Sequence, residues 1–103
     1  MKYRVIVRPE TEDDLEKAFS WYEDKRKGLG YDFLLQVDAG MRFIERNPKI
    51  YSTKYKGTRK HLIKRFPYKI IYIIEKDKII ILAITHGKRN PALLKERINN
   101  EKC

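Results

Sequence analysis

The 103-residue chain carries 42% hydrophobic and 37% charged residues, one cysteine and a formal net charge of +10. At this length only about two-thirds of the unfolded surface can be buried, so a single small domain over residues 1–103 with one core is expected. The longest apolar run, Ile79–Ile84, is far short of the roughly 20 residues that span a bilayer, and a lone Cys103 excludes an intrachain disulfide and a thiolate metal cluster.

The first element is a strand in YRVIVRP (3–9), where Val5 and Val7 alternate with Arg4, Ile6 and Arg8 until Pro9 stops it. Glu10, Glu12, Asp13 and Asp14 then place acid in a first helical turn, and Leu15, Ala18, Phe19 and Tyr22 follow at helical spacing. KGLG (27–30) ends this helix. A second apolar stripe, Phe33, Leu34, Val37, Met41 and Ile44, runs to the Asn-Pro pair at 47–48, so the two helices form a hairpin. KIYSTKYKGT (49–58) has no period and reads as a connecting loop. Three strands are expected next, at 59–66, 68–75 and 78–85, spaced as an antiparallel meander. The last two are apolar on both faces, as central strands are, and the first is basic, as an edge strand can be. After Pro91, ALLKERI suggests a short C-terminal helix. The fold class is therefore α+β, in the order β-αα-βββ, with the hairpin packed on a small antiparallel-dominated sheet.

Charge divides the chain in two. Residues 1–50 hold ten Lys/Arg and ten Asp/Glu, whereas residues 51–103 hold fourteen against four and supply the whole excess. Such a field attracts nucleic acid, an anionic membrane or an acidic protein. The opening MKYRVIVRPE has no apolar signal segment, and the expected location is the cytoplasm, with no membrane partner.

Most catalytic signatures are absent. GLGYDF (28–33) follows no strand and lacks a third glycine, so it is no nucleotide fingerprint. His61 and His86 are the only histidines and have no soft ligands near them, so neither metal nor cofactor is expected. The acids of the first helix read as a solvated face. On strand 59–66, Lys60, Lys64 and Phe66 share a face with Leu62, while Arg59, His61, Ile63 and Arg65 share the other. Edge lysines guard against sheet aggregation, but with Lys88 and Arg89 the set Arg59, Lys60, Lys64 and Arg65 also reads as a target-binding surface. Cleavage of RNA by its own 2′-hydroxyl needs only a proton acceptor, a proton donor and cations around the phosphate, which Lys, Arg and His can supply. His86 fits that chemistry and fits equally a strand-end cap. Tyr22 reads as core and Trp21 as a candidate exposed patch, and Tyr68 and Tyr72 are either core or base-stacking residues.

DLEKAFSWYE, GLGYDFLLQV, IERNPKIY and RKHLIKRFPYKIIYIIEKDKIIILAITHGKRNP together cover nearly the whole chain. In this order they resemble the RelE/ParE toxin superfamily, in its ParE-like branch, often labelled plasmid stabilisation proteins. The resemblance implies the toxin of a type II toxin–antitoxin pair, held in a hetero-oligomer by a cognate antitoxin with a flexible acidic and apolar segment. It implies two targets. ParE members poison DNA gyrase, while RelE members cut mRNA on the ribosome. For the second activity Lys69 stands where an arginine is usual, Arg89 matches the arginine of the GKR segment, and Leu94 and Lys95 stand where a tyrosine would be. His86 and Arg89 together resemble the H-x-x-R segment common in ParE-like sequences, for which the resemblance supplies no settled chemical role. The tentative catalytic set is thus Lys69, His86 and Arg89, and it is incomplete. Gyrase inhibition is the favoured reading, mRNA cleavage the alternative, and a general nucleic-acid-binding module a third.

Overall fold

The computed structural model describes residues 2–87 and 96–97. Its elements are β1 (Arg4–Val7), α1 (Pro9–Lys25), α2 (Leu29–Arg46), β2 (Arg59–Leu62), β3 (Tyr68–Glu75) and β4 (Lys78–His86). The sheet order is β1-β4-β3-β2. β1 runs parallel to β4 and every other pair is antiparallel. The α+β order β-αα-βββ is therefore the one expected. Of the C-terminal helix, only Glu96 and Arg97 lie among the described residues, and both are helical. The rest of that segment, with Lys88 and Arg89 before it, lies outside them.

Pro9 starts α1 where its missing N–H costs nothing. Thr11, one turn in, is fully buried and its hydroxyl donates to the Ile81 carbonyl at 2.9 Å, pinning the helix to β4. The turn between the helices is held by Glu23, whose two carboxylate oxygens accept from the N–H groups of Gly28 and Gly30, each at 2.9 Å. Gly30 lets the helices close up, because a Cβ there would stand 2.7 Å from both Cδ1 and the carbonyl oxygen of Phe19. Gly30→Ala should therefore destabilise the domain by about 1–3 kcal/mol, read as a lower urea midpoint at unchanged m-value.

The core lies between the hairpin and one sheet face. Ala18 and Tyr22 of α1 and Phe33, Val37 and Ile44 of α2 meet Ile70 and Tyr72 of β3 and Ile79, Ile81 and Ile84 of β4. The opposite sheet face buries Ile71, Ile73, Ile80, Leu82 and Ala83. That β4 sends Ile79 and Ile81 but then Ile84 to the hairpin reflects a bulge. The register steps from Tyr72↔Ile81 to Ile71↔Ala83, leaving Leu82 without an opposite residue, and one extra residue reverses the side-chain alternation beyond it.

Two expectations need correction. The strand expected over 59–66 ends at Leu62: the Ile63 N–H still donates to the Tyr68 carbonyl at 3.1 Å, but Arg65 takes a left-handed φ of 71° and turns the chain. Lys64, Arg65 and Phe66 thus belong to a turn rather than to alternating strand faces. The acids of α1 are not all solvated either, since Asp14 is only 8% exposed.

Candidate functional site

The basic half of the chain builds its surface around β2. Lys60 and Leu62 point to the sheet face away from the helices and are exposed, while Arg59 and His61 point towards α2 and are half-buried. Arg59 donates through Nη1 to the Tyr51 carbonyl. His61 packs on Gly40, where a Cβ would stand 3.0 Å from its ring, and lies across the Phe43 ring at 5.4 Å. Its Nδ1 is 2.7 Å from the Tyr51 hydroxyl. Burial, and after it the charge of Lys64, lowers the His61 pKa from 6.5. The unfolded chain therefore binds the proton more readily than the folded one. Stability from neutral His61 is complete above pH 6.5 and declines as the pH falls from there towards the depressed folded value. In urea titrations between pH 7 and 5, His61→Gln should show a flatter loss of stability than the parent.

Two grooves meet at this strand. One, of ≈ 310 Å³, runs between Tyr51, Ser52 and Lys54 on one side and Lys60 and Leu62 on the other. The second, of ≈ 550 Å³, continues from Tyr51 and Leu62 to Phe43, Arg46 and Lys64. Lys64 and Arg65 are exposed in the turn that follows.

The tentative catalytic residues are arranged differently. Lys69 pairs with Leu62 and Thr85, whereas His86 pairs with Tyr68. Adjacent strand positions alternate faces, so Lys69 lies on the Lys60–Leu62 face and His86 on the helix face, its ring 5.5 Å from that of Tyr68. His86 lines a groove of ≈ 500 Å³ with Trp21, Tyr22 and Tyr68. The sheet separates the two residues. Among the described residues no three of His, Cys, Asp and Glu could hold a metal ion.

The aromatic residues divide as well. Tyr72 is fully buried and donates to the Pro48 carbonyl at 2.8 Å, with burial pushing its pKa up to about 12; it belongs to the core and cannot stack a base. Tyr22 is also core. Trp21 is 56% exposed, with the Lys25 ammonium 4.7 Å above its ring.

One pair went unnoticed in the sequence. Arg97 donates to Asp14 through Nη1 and Nη2, at 2.7 and 3.0 Å, and its Nη1 also reaches the Leu82 carbonyl at 3.3 Å. Asp14 in turn accepts from the Ile84 N–H at 3.1 Å. The hydrogen bond to Asp14 raises the pKa of Arg97 above its ordinary value. A signal existed, since Asp14 sits one turn before Ala18 and two before Tyr22, on the buried stripe.

A family model described as the ParE toxin of type II toxin–antitoxin systems, parDE, matches residues 5–91. Toxin ParE2 of Mycobacterium tuberculosis, in strains CDC 1551/Oshkosh and ATCC 25618/H37Rv, is 32% identical over 100 residues, spanning 96% of this chain and 95% of the relative. Among solved structures, the chromosomal ParDE system of P. aeruginosa superposes with a TM-score of 0.73 at 13% identity, over 82% of this chain and 96% of that one. The last likeness is one of fold.

Proposed function

Because the chain belongs to the ParE toxin family of type II toxin–antitoxin systems, we propose that it arrests growth in the cytoplasm by binding a macromolecular target, with DNA gyrase favoured, and that a cognate antitoxin neutralises it. The carrying observation is the exposed basic surface of β2 and its flanking turns, which is built for contact rather than for bond-making. The ribonuclease alternative draws less support, since Lys69 and His86 face opposite sides of the sheet. A reaction centre needs its acid, base and cations around one phosphate.

The test is induction of the toxin alone in bacteria, followed by supercoiling assays with the purified protein. Growth arrest with a DNA-damage response and inhibited supercoiling is expected. Arrest with intact supercoiling and transcripts cut within translated codons would replace the gyrase reading with the ribosomal one, and folded protein without arrest would remove both.

A further inference from the structure

Gln36, Gly40 and Phe43 follow one another at helical spacing on α2 and, with Arg46, line one side of the ≈ 550 Å³ groove, across from His61 and Lys64. β2 runs back along this helix. Arg59 is tied to Tyr51, five residues beyond Arg46, whereas His61 lies against Gly40, six residues before it. Lys64 therefore stands on the Gln36 side of His61, close enough for its charge to lower the His61 pKa, and Arg46 stands at the other end. The His61 ring is held at both edges. Its Nδ1 is 2.7 Å from the Tyr51 hydroxyl, and its Cδ2–Nε2 edge rests on Gly40, where a Cβ would stand 3.0 Å from Cδ2 and 3.1 Å from Nε2. Among the described residues no buried side-chain nitrogen or oxygen lacks a partner, and Nε2 has none, so this nitrogen opens on the groove. With the Tyr51 hydroxyl donating to Nδ1, the proton of the neutral ring sits on Nε2 and makes it a donor. Lys64 and Arg46 are exposed, and among the described residues neither is ion-paired and no carboxylate lines the groove.

We propose that this groove binds a nucleoside monophosphate, its phosphate held by Lys64, His61 and Gln36 and its base laid against Phe43 and Arg46. The phosphate follows from the donor set. An ammonium, an imidazole N–H and a carboxamide N–H are three separate donors beside one unpaired cation, which suits the three terminal oxygens and nearly double charge of a phosphate monoester. A carboxylate, with two oxygens and one charge, leaves a donor idle. The base follows from the other end, because guanidinium planes and aromatic rings both stack on nucleobases. Gln36 and Arg46 are ten residues apart on α2, about 15 Å along the axis, so the groove has room for a phosphate and a base but not for a long strand. Its volume falls in the range of small-molecule sites. The inference does not depend on the toxin reading, since the ligand is specified by side chains that face α2 rather than by the exposed face of Lys60.

The experiment uses the full chain, labelled with nitrogen-15 and carbon-13, and adenosine 5′-monophosphate at up to about 5 mM. The His61 ring signals and the Gln36 and Gly40 amide signals should shift together along one saturating curve, while the ring signals of His86, in the separate groove, stay in place. Lys64→Gln should weaken the nucleotide and inorganic phosphate alike, each about tenfold, the effect of one charge-assisted hydrogen bond. Arg46→Ala should weaken the nucleotide several-fold and leave inorganic phosphate unchanged, because Arg46 meets only the base. Both side chains are exposed, so both variants should keep the parent melting temperature. No shift at that concentration, His86 shifts as large as those of His61, equal binding of succinate, or unchanged binding in Lys64→Gln would each overturn the proposal. Equal affinity for inorganic phosphate and the nucleotide would also overturn it by removing the base. So would equal binding of adenylyl-adenosine, which has a phosphodiester and no monoester and would assign the groove to a nucleic-acid backbone.

Discussion

Arg97→Ala should destabilise the domain by about 3 kcal/mol, the range expected when one partner of a buried ion pair is removed, and lower the melting temperature by on the order of 15 °C. The size follows from what remains. Asp14 has a side chain only 6% exposed, and without the guanidinium its carboxylate keeps, among the described residues, the Ile84 N–H as its hydrogen-bond donor. Position adds to charge. β1 stops pairing with β4 at Val7↔Ile81, so β4 beyond that point has no strand on this side. Thr11, Asp14 and Arg97 take over there, meeting the Ile81 carbonyl, the Ile84 N–H and the Leu82 carbonyl in turn. The ion pair thus completes the sheet border with side chains where a longer β1 would have used backbone. Asp14→Leu combined with Arg97→Met should recover part of the loss, because an apolar pair leaves no buried charge. A loss below about 0.5 kcal/mol for Arg97→Ala in urea unfolding would show the pair to be incidental.

This border also marks where sequence pattern stopped being informative. Period and punctuation located both α-helices and all four strands of the described residues, though not the short 3-10 turn at Tyr55–Gly57, because Phe33, Val37 and Ile44 repeat at helical spacing and Pro9, Gly28 and Asn47 stand at the helix ends. Pattern failed where a residue's role depends on a distant chain segment. Asp14 looks like another acid of a solvated first turn until an arginine 83 residues away meets it. Tyr51 looks like one of several loop tyrosines until β2 brings His61 to its hydroxyl. The bulge at Leu82 is equally hidden, since an unbroken apolar run offers no phase by which to see one residue slip. The basic surface was legible as composition, but its division between two sheet faces needed the register. That register is what separates Lys69 from His86.

Binding and catalysis then predict opposite results for the same residues. Reversing Lys60, Lys64 and Arg65 to glutamate removes two units of charge at each position and takes the net charge from +10 to +4. All three side chains are exposed, so folding should be little affected, whereas potency in a supercoiling assay should fall at least about a hundredfold and lose most of its salt dependence. Glutamine at the same positions should give an intermediate loss, because it removes the attraction without adding repulsion. For a toxin that only binds, Lys69→Ala and His86→Ala should stay within a few-fold of the parent, since the sheet keeps them from acting on one phosphate. A ribonuclease would respond in the reverse sense, losing on the order of a hundredfold to a thousandfold with either substitution. Retained potency in the triple glutamate variant would move the target-binding surface away from β2 altogether, towards the helix face where Trp21, Tyr68 and His86 line the third groove.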